Sequence, residues 1–289
     1  MVLKMDRLLF GDNQFFGVNH ISDDKGRQTA IRFSQTSEIM KVLDYAYELG
    51  IKTFVCSTHA RISEICDTIR RNPSKYTDYE IYPTLPDVHK YATAVSDLGL
   101  IGTLKEYIPG NFLTFMTKGG LAYAQKDFIS IMEMLIDVEM KMFRGIKTGV
   151  IFIQNNICDM LLGLGMKDVF IGFNRCIREK YGAEPGFMTM NLPRMISFLK
   201  ECQIENPIIC SSINKVEFRM SGGKETYQKV IAANLCRCIA MQVLAAGALK
   251  PKEALEYVCN QKGISSILFG SSSFNNIKNT KELIERYSK

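Results

Sequence analysis

Gly149-Val150-Ile151-Phe152-Ile153-Gln154 holds four consecutive apolar residues and runs into a set of amides, Gln154-Asn155-Asn156. A strand wetted on one face alternates apolar and polar side chains, whereas a strand covered on both faces, as in a parallel sheet flanked by helices, is apolar throughout. Outward from this run, short segments rich in Val, Ile, Phe and Leu recur, each followed by a polar cluster and then a helical pattern. The predicted strands run Leu8 to Asn13, Thr53 to Ser57, Glu80 to Thr84, Gly149 to Gln154, Gly186 to Asn191, Pro207 to Ser212, Arg237 to Leu244 and Ser265 to Gly270. Eight such strand-helix units close into a barrel more naturally than they lie open. The expected fold is therefore α/β, a (β/α)8 TIM barrel over residues 1–289 as one domain. An open doubly wound sheet is the alternative, and it is disfavoured because no Gly-x-Gly-x-x-Gly turn follows the first strand.

The helices are marked by apolar residues three and four apart. The first clear one carries Ile39, Val42, Leu43, Ala46 and Tyr47 on one face; the hydroxyls of Ser34-Gln35-Thr36-Ser37-Glu38 are expected to cap its start, and Gly50 ends it. The last spans Asn275 to Tyr287. One connection breaks the short-loop rule: residues 86–147, from Pro86 to Lys147, are far more than one helix needs. This extended connection after the third strand is expected to hold at least two helices, with the apolar, turn-rich run 108–120 between them as a lid, a subunit contact or a packed loop.

Composition narrows the function classes. With 46% hydrophobic and 23% charged residues and a mean hydropathy of -0.02, the chain reads as a globular protein with a large core. Its net charge of +6 comes from 36 basic and 30 acidic residues scattered along the sequence, with no run that tracks a phosphate backbone, so no nucleic acid is expected as partner. A mildly basic cleft would favour a small anionic ligand. No stretch of about 18 apolar residues occurs and Met1 to Arg7 carries no signal pattern, so neither a membrane span nor a leader is expected. Nine cysteines without a Cys-x-x-Cys pair fit buried thiols in a reducing cytoplasm, with Cys236 and Cys238 at alternate strand positions.

In this architecture the active site lies at the carboxyl ends of the strands. Those ends carry Asp12, Asn13, Gln14, Ser57, Thr58, His59, Thr84, Asp87, Gln154, Asn155, Asn156, Asn191, Asn214, Lys215, Gln242 and Gly270-Ser271-Ser272-Ser273. Neutral amides and hydroxyls suit the orientation of a carbonyl or polyhydroxylated ligand better than hydrolysis by paired carboxylates. Asn13, Gln14, Gln154, Asn155, Asn191 and Asn214 are the candidate substrate-binding residues; each amide is equally suited to capping a helix or tying a loop. His59 is the candidate for proton transfer, since an imidazole titrates near pH 6.5. Asp12 is a candidate general base or hydroxyl ligand within a turn-like Gly11-Asp12-Asn13. Lys215 is a candidate electrophile, anion ligand or amine nucleophile, and an ion-paired surface lysine is its competing reading. His20 and His89 lie in loops after the first and third strands. The three histidines share no helix face and no recognisable ligand spacing, so no metal site is predicted. The turn Gly270 to Ser273, entering a helix near Asn276, offers backbone N–H groups and hydroxyls to a phosphate; a plain helix cap is the competing account.

The run Met241 to Leu255, with its small-residue stretch Ala245-Ala246-Gly247-Ala248, resembles the seventh strand and following loop of the aldo-keto reductases, and Ile264 to Ile277 resembles their eighth strand and cofactor-phosphate turn. Ala46-Tyr47-Glu48-Leu49-Gly50-Ile51-Lys52-Thr53-Phe54 resembles their entry into the second strand. The resemblance covers both ends of the chain and is weak in the middle. It implies reduction of a carbonyl, or oxidation of a hydroxyl, with NADP or NAD, the cofactor being held by Gly270, Ser271, Ser272, Ser273 and Asn276. That family uses a tyrosine proton donor tuned by a lysine, with an aspartate and a histidine nearby. Here those places read Thr58-His59-Ala60, Pro83-Thr84, Val55-Cys56 and Gln154-Asn155. None of the four residue types is kept, and His59 stands nearest to the tyrosine's place.

Three readings follow. The first is an oxidoreductase on a small polar metabolite with a nicotinamide cofactor. The second is a non-redox isomerase, epimerase or lyase on a phosphorylated, sugar-like substrate, with His59, Asp12 and Lys215 handling protons. The third is a non-catalytic relative that binds a ligand or a partner. A homo-oligomer is compatible with all three.

Overall fold

Eight strands pair in parallel, each with its chain neighbour, and the eighth returns to the first, so the sheet closes in the order β1 to β8. The computed structural model describes residues 3–17, 23–86 and 128–288. The order is β1 (Leu8–Gly11), α1 (Asp23–Arg32), α2 (Thr36–Glu48), β2 (Thr53–Cys56), α3 (Ala60–Arg71), β3 (Glu80–Leu85), α4 (Phe128–Met140) and β4 (Val150–Ile153). Then follow α5 (Asn155–Gly163), α6 (Lys167–Tyr181), β5 (Glu184–Thr189), α7 (Leu192–Glu201), β6 (Ile208–Ser212), α8 (Lys224–Ala232), β7 (Arg237–Met241), α9 (Pro251–Cys259), β8 (Ile264–Phe269) and α10 (Phe274–Tyr287). The fold expected from the strand-helix alternation is the fold observed. Of the extended connection, α4 and the 3-10 turn Lys141–Phe143 belong to the described residues; the run 108–120, His20, His89 and Asp87 lie outside them.

Two apolar layers account for the apolar strands. Alternate residues point to the barrel axis, where Leu9, Val55, Tyr82, Val150, Phe152, Met188, Ile208, Cys210, Ile239 and Met241 pack together. Their neighbours Phe10, Phe54, Ile81, Ile151, Phe187, Ile209, Cys238 and Ile267 point outward into the larger layer under the helices. The axis is filled at the level of Phe152, whose partner across the β4–β5 ladder is Gly186. A Cβ at residue 186 would fall 2.3 Å from the Phe152 ring, so the glycine makes room for it. All nine cysteines are free thiols, eight of them buried and Cys259 half-buried, as expected of core thiols.

The helices dock by the faces that their spacing sets. In α2, Ile39, Met40, Val42, Leu43 and Ala46 are buried, and Gln35 stands at the N-cap without a side-chain cap bond. The hydroxyl cap expected from Ser34 to Ser37 is therefore not made; the Thr36 hydroxyl instead donates to Glu64 on α3. Gly50 ends the helix turn at φ +81°, as the sequence indicated.

Strand boundaries shift from the expected ones at the carboxyl ends of the strands. Pairing in β1 stops at Gly11 rather than Asn13, and β7 stops at Met241 rather than Leu244. Gln242, expected within β7, turns the chain at φ 53°. Polar residues at these ends leave the ladder to build the mouth.

Candidate active site

Side-chain alternation sets the ring of residues at the barrel mouth. Val55 points inward, so Ser57 does too, and by the same rule Gln154 stands above Phe152 and Ser212 above Cys210. Met190, two residues beyond Met188, packs against the axial cluster directly.

Between β1 and β2, Asp12 Oδ2 accepts both the backbone N–H and the hydroxyl of Ser57, each at 2.8 Å. Next in the chain, Thr58 is 1% exposed and donates at 2.8 Å to Glu139, also 1% exposed, in the last turn of α4. His59 follows as the N-cap of α3, where its Nδ1 accepts the backbone N–H of Arg61 at 3.2 Å. A ring that accepts at Nδ1 carries its proton at Nε2, so the cap bond sets the tautomer. The imidazole stacks on Phe16, centroids 4.2 Å apart and planes 20° from parallel, and the Arg61 guanidinium lies 5.4 Å from the same phenyl centroid. Asp12, Ser57 and His59 are thus brought to one side of the mouth.

The far side is a net of hydroxyl, amide, thioether and backbone groups with one carboxyl, Asp159. Ser212 donates at 2.6 Å to Gln242 Oε1 and lies 3.1 Å from the Met190 sulfur. Asp159 on α5 accepts the Thr189 hydroxyl at 2.5 Å and the Met190 N–H at 2.9 Å. Burial pushes its carboxyl up, against these two bonds, which favour the ion. Tyr227 donates to Met190 O at 2.9 Å and accepts Leu192 N–H at 3.0 Å. The loop after β5 is therefore held from two helices.

Near β8, Gln14 donates from Nε2 to Gly11 O at 2.7 Å, and a Cβ at Gly270 would fall 2.1 Å from Gln14 Oε1, so the two are in close contact. Ser273 caps α10 by accepting Asn276 N–H at 3.3 Å. Arg32, from the end of α1, donates to Ser272 O at 2.9 Å and to its hydroxyl at 3.3 Å. A guanidinium beside a serine-capped helix start is a setting for an anion. Sequence reading missed Arg32, which lies 240 residues from its partner, and missed Phe16 and Glu139.

Other candidates are placed differently. Asn191 caps α7, accepting Arg194 N–H at 3.3 Å, and Asn214 is fully buried, bonded both ways to the Phe218 backbone at 2.8 and 2.9 Å. Asn155 Nδ2 donates to Asn156 Oδ1 at 2.9 Å, and Asn13 is exposed. Lys215 is 49% exposed and paired with Glu253 at 2.7 Å, which holds its ammonium form to higher pH through the hydrogen bond to that carboxylate. Among the described residues no group of three His, Cys, Asp or Glu is placed to hold a metal ion. No helix among them is long and apolar enough to cross a membrane.

No protein-family model matches the sequence, and no curated protein matches it. Solved structures do. A Pseudomonas aeruginosa protein assigned to the aldo-keto reductases aligns with a TM-score of 0.64 at 13% identity, over 98% of this chain and 91% of the other. An aldo-keto reductase from Bacillus halodurans in its holo form gives 0.58 at 9%, over 96% and 86%. The glycerol dehydrogenase of Gluconobacter oxydans gives 0.50 at 10%, over 97% and 92%. The structural neighbours of this chain thus include aldo-keto reductases, alike along nearly its whole length at an identity that shows the fold alone.

Proposed function

We propose that the chain is an oxidoreductase of the aldo-keto reductase type, acting on a carbonyl or hydroxyl of a small polar metabolite with a nicotinamide dinucleotide. The observation that carries this reading is the turn after β8, where Arg32 lies across Ser272 beside the Ser273-capped start of α10. Gly270, Ser271, Ser272, Ser273 and Asn276 would hold a phosphate of the dinucleotide, with Arg32 as counter-ion. Its nicotinamide supplies or takes up the hydride. His59, whose cap bond leaves the ring proton on Nε2, would donate that N–H to the carbonyl oxygen and polarise it for hydride transfer, the proton of the product hydroxyl being exchanged with solvent. Asp12 steadies Ser57, two residues before the imidazole, and Phe16 fixes the ring plane. Lys215, exposed and ion-paired, takes no part.

The absence of the family's tyrosine-lysine pair from the expected positions favours a second reading, in which the same turn holds the phosphate of a sugar-like substrate and no redox cofactor takes part. Thermal unfolding with NADPH, NADH and a panel of sugar phosphates separates the two, because a specific ligand raises apparent stability by mass action. The oxidoreductase reading expects a rise with a dinucleotide that His59→Gln leaves intact while abolishing turnover. A rise with sugar phosphates alone overturns it, and no rise with any of them moves the weight to a non-catalytic relative.

A further inference from the structure

Gln154 leads from β4 into α5, and its backbone is fully engaged: its N–H donates to Leu85 O at 2.7 Å and its carbonyl accepts Cys158 N–H at 2.9 Å. It stands at the N-cap of α5, yet its side chain makes no cap bond. The carboxamide oxygen is buried and has no hydrogen-bond partner. An unpaired buried acceptor forfeits its hydration, a cost that native structures rarely leave uncompensated. Helix capping, the ordinary use of an amide here, is excluded because that bond is not formed.

The surroundings say where a donor would come from. Val150 and Phe152 point to the axis and belong to its apolar packing, so below Gln154, the next inward position of β4, its own strand offers no side-chain donor. A donor carried by a bound molecule would come from the open end of the barrel. Unlike Asn191 and Asn214, whose carboxamides are tied to the backbone, Gln154 keeps its acceptor uncommitted.

We infer that Gln154 is a specificity-determining residue whose Oε1 accepts a hydrogen bond from a hydroxyl of the substrate, so that hydroxylated carbonyl compounds are bound in preference to their deoxy counterparts. This rests on the reading of the mouth as a substrate site, but not on the redox step. A site with a buried acceptor rejects the analogue that lacks the matching donor, because that ligand leaves the acceptor unpaired.

The test compares Gln154→Met, which replaces the amide by an apolar chain of similar length, with the parent protein. Unfolding is followed alone and with glyceraldehyde, dihydroxyacetone, propanal and acetone, each with and without NADPH. Ligand-free Gln154→Met is expected to unfold at the same temperature as the parent or higher, since an unpaired acceptor is removed. The parent should bind the hydroxylated compounds about tenfold more tightly than the deoxy ones, and the variant should lose that preference. Gln154→Glu, which keeps an acceptor oxygen, should retain it. A ligand-free Gln154→Met that unfolds several degrees lower would show that ordered water already satisfies the oxygen as part of the fold, and would overturn the inference. So would a parent without preference, or a variant that loses affinity for NADPH alone. Failure of the redox reading shows separately, as hydroxyl preference that is unaffected by NADPH and accompanied by no turnover.

Discussion

Gly186 is the residue on which the barrel interior turns. A Cβ there would meet Phe152 Cδ1 at 2.3 Å and Cε1 at 2.4 Å, and the ring cannot yield because it is itself fully buried. Gly186→Ala is expected to cost about 1–3 kcal/mol through overpacking, read as a lower urea midpoint; adding Phe152→Leu should recover part of it. Equal stability of Gly186→Ala and parent would mean that the ring does not fill this level. At this scale the sequence was legible in kind but not in assignment. It put amides at the strand ends, yet the same group caps a helix in Asn191, fastens a loop in Asn214 and stays unpaired in Gln154. Arg32 was not legible because its role depends on α1 reaching Ser272, a contact that no local pattern encodes. Glu139 was invisible for a related reason: a glutamate in an apolar helix reads as a surface residue until Thr58 is placed against it.

Among the elements, α10 is the one on which the proposed cofactor site rests. Ser273 has the extended conformation of a helix N-cap, φ -136° and ψ 143°, and its hydroxyl accepts from the third residue on. Ser273→Ala is expected to destabilise the ligand-free protein by about 1 kcal/mol and also to weaken the rise in unfolding temperature with NADPH. Arg32→Met, at an exposed position, should weaken that rise with little change in ligand-free stability. If both variants respond to NADPH as the parent does, the turn is a plain cap. The strands were legible because a doubly covered strand has an unmistakable apolar run, and their functional ends were not, because the chain leaves the ladder where polar residues begin. Gln242 shows this: the run of residues after Met241 continues to look like strand, while φ 53° turns it into the mouth.

For the molecule as a whole, the end of the barrel away from the candidate site holds an ion-pair cluster that bears on stability. At the amino-terminal end Glu184, the first residue of β5, accepts Arg237 from the first residue of β7 and Arg178 from α6, both at 2.9 Å. Arg237 also donates to Asn206 O at 3.3 Å. Burial pushes the Glu184 carboxyl up, but the two guanidinium groups more than offset this and hold it below its ordinary value of 4.5. A carboxyl with a lowered value in the folded state binds protons more readily once unfolded, so its contribution is full above pH 4.5 and fades as pH falls through the folded value. Glu184→Gln should therefore destabilise the fold at pH 7, by about 1–3 kcal/mol for the weakened guanidinium contacts, and the gap to the parent should narrow in acid. A gap unchanged at pH 3 would assign the loss to packing rather than to charge.

The filled axis at Phe152 and Gly186 also bears on traffic. A barrel blocked below its mouth is a cup and not a tunnel, so whatever enters must leave by the same rim. Where two molecules share such a cup, the one seated deeper arrives first and departs last. Steady-state kinetics are then expected to show a compulsory order of addition, with the late-leaving product competing against the early-binding reactant.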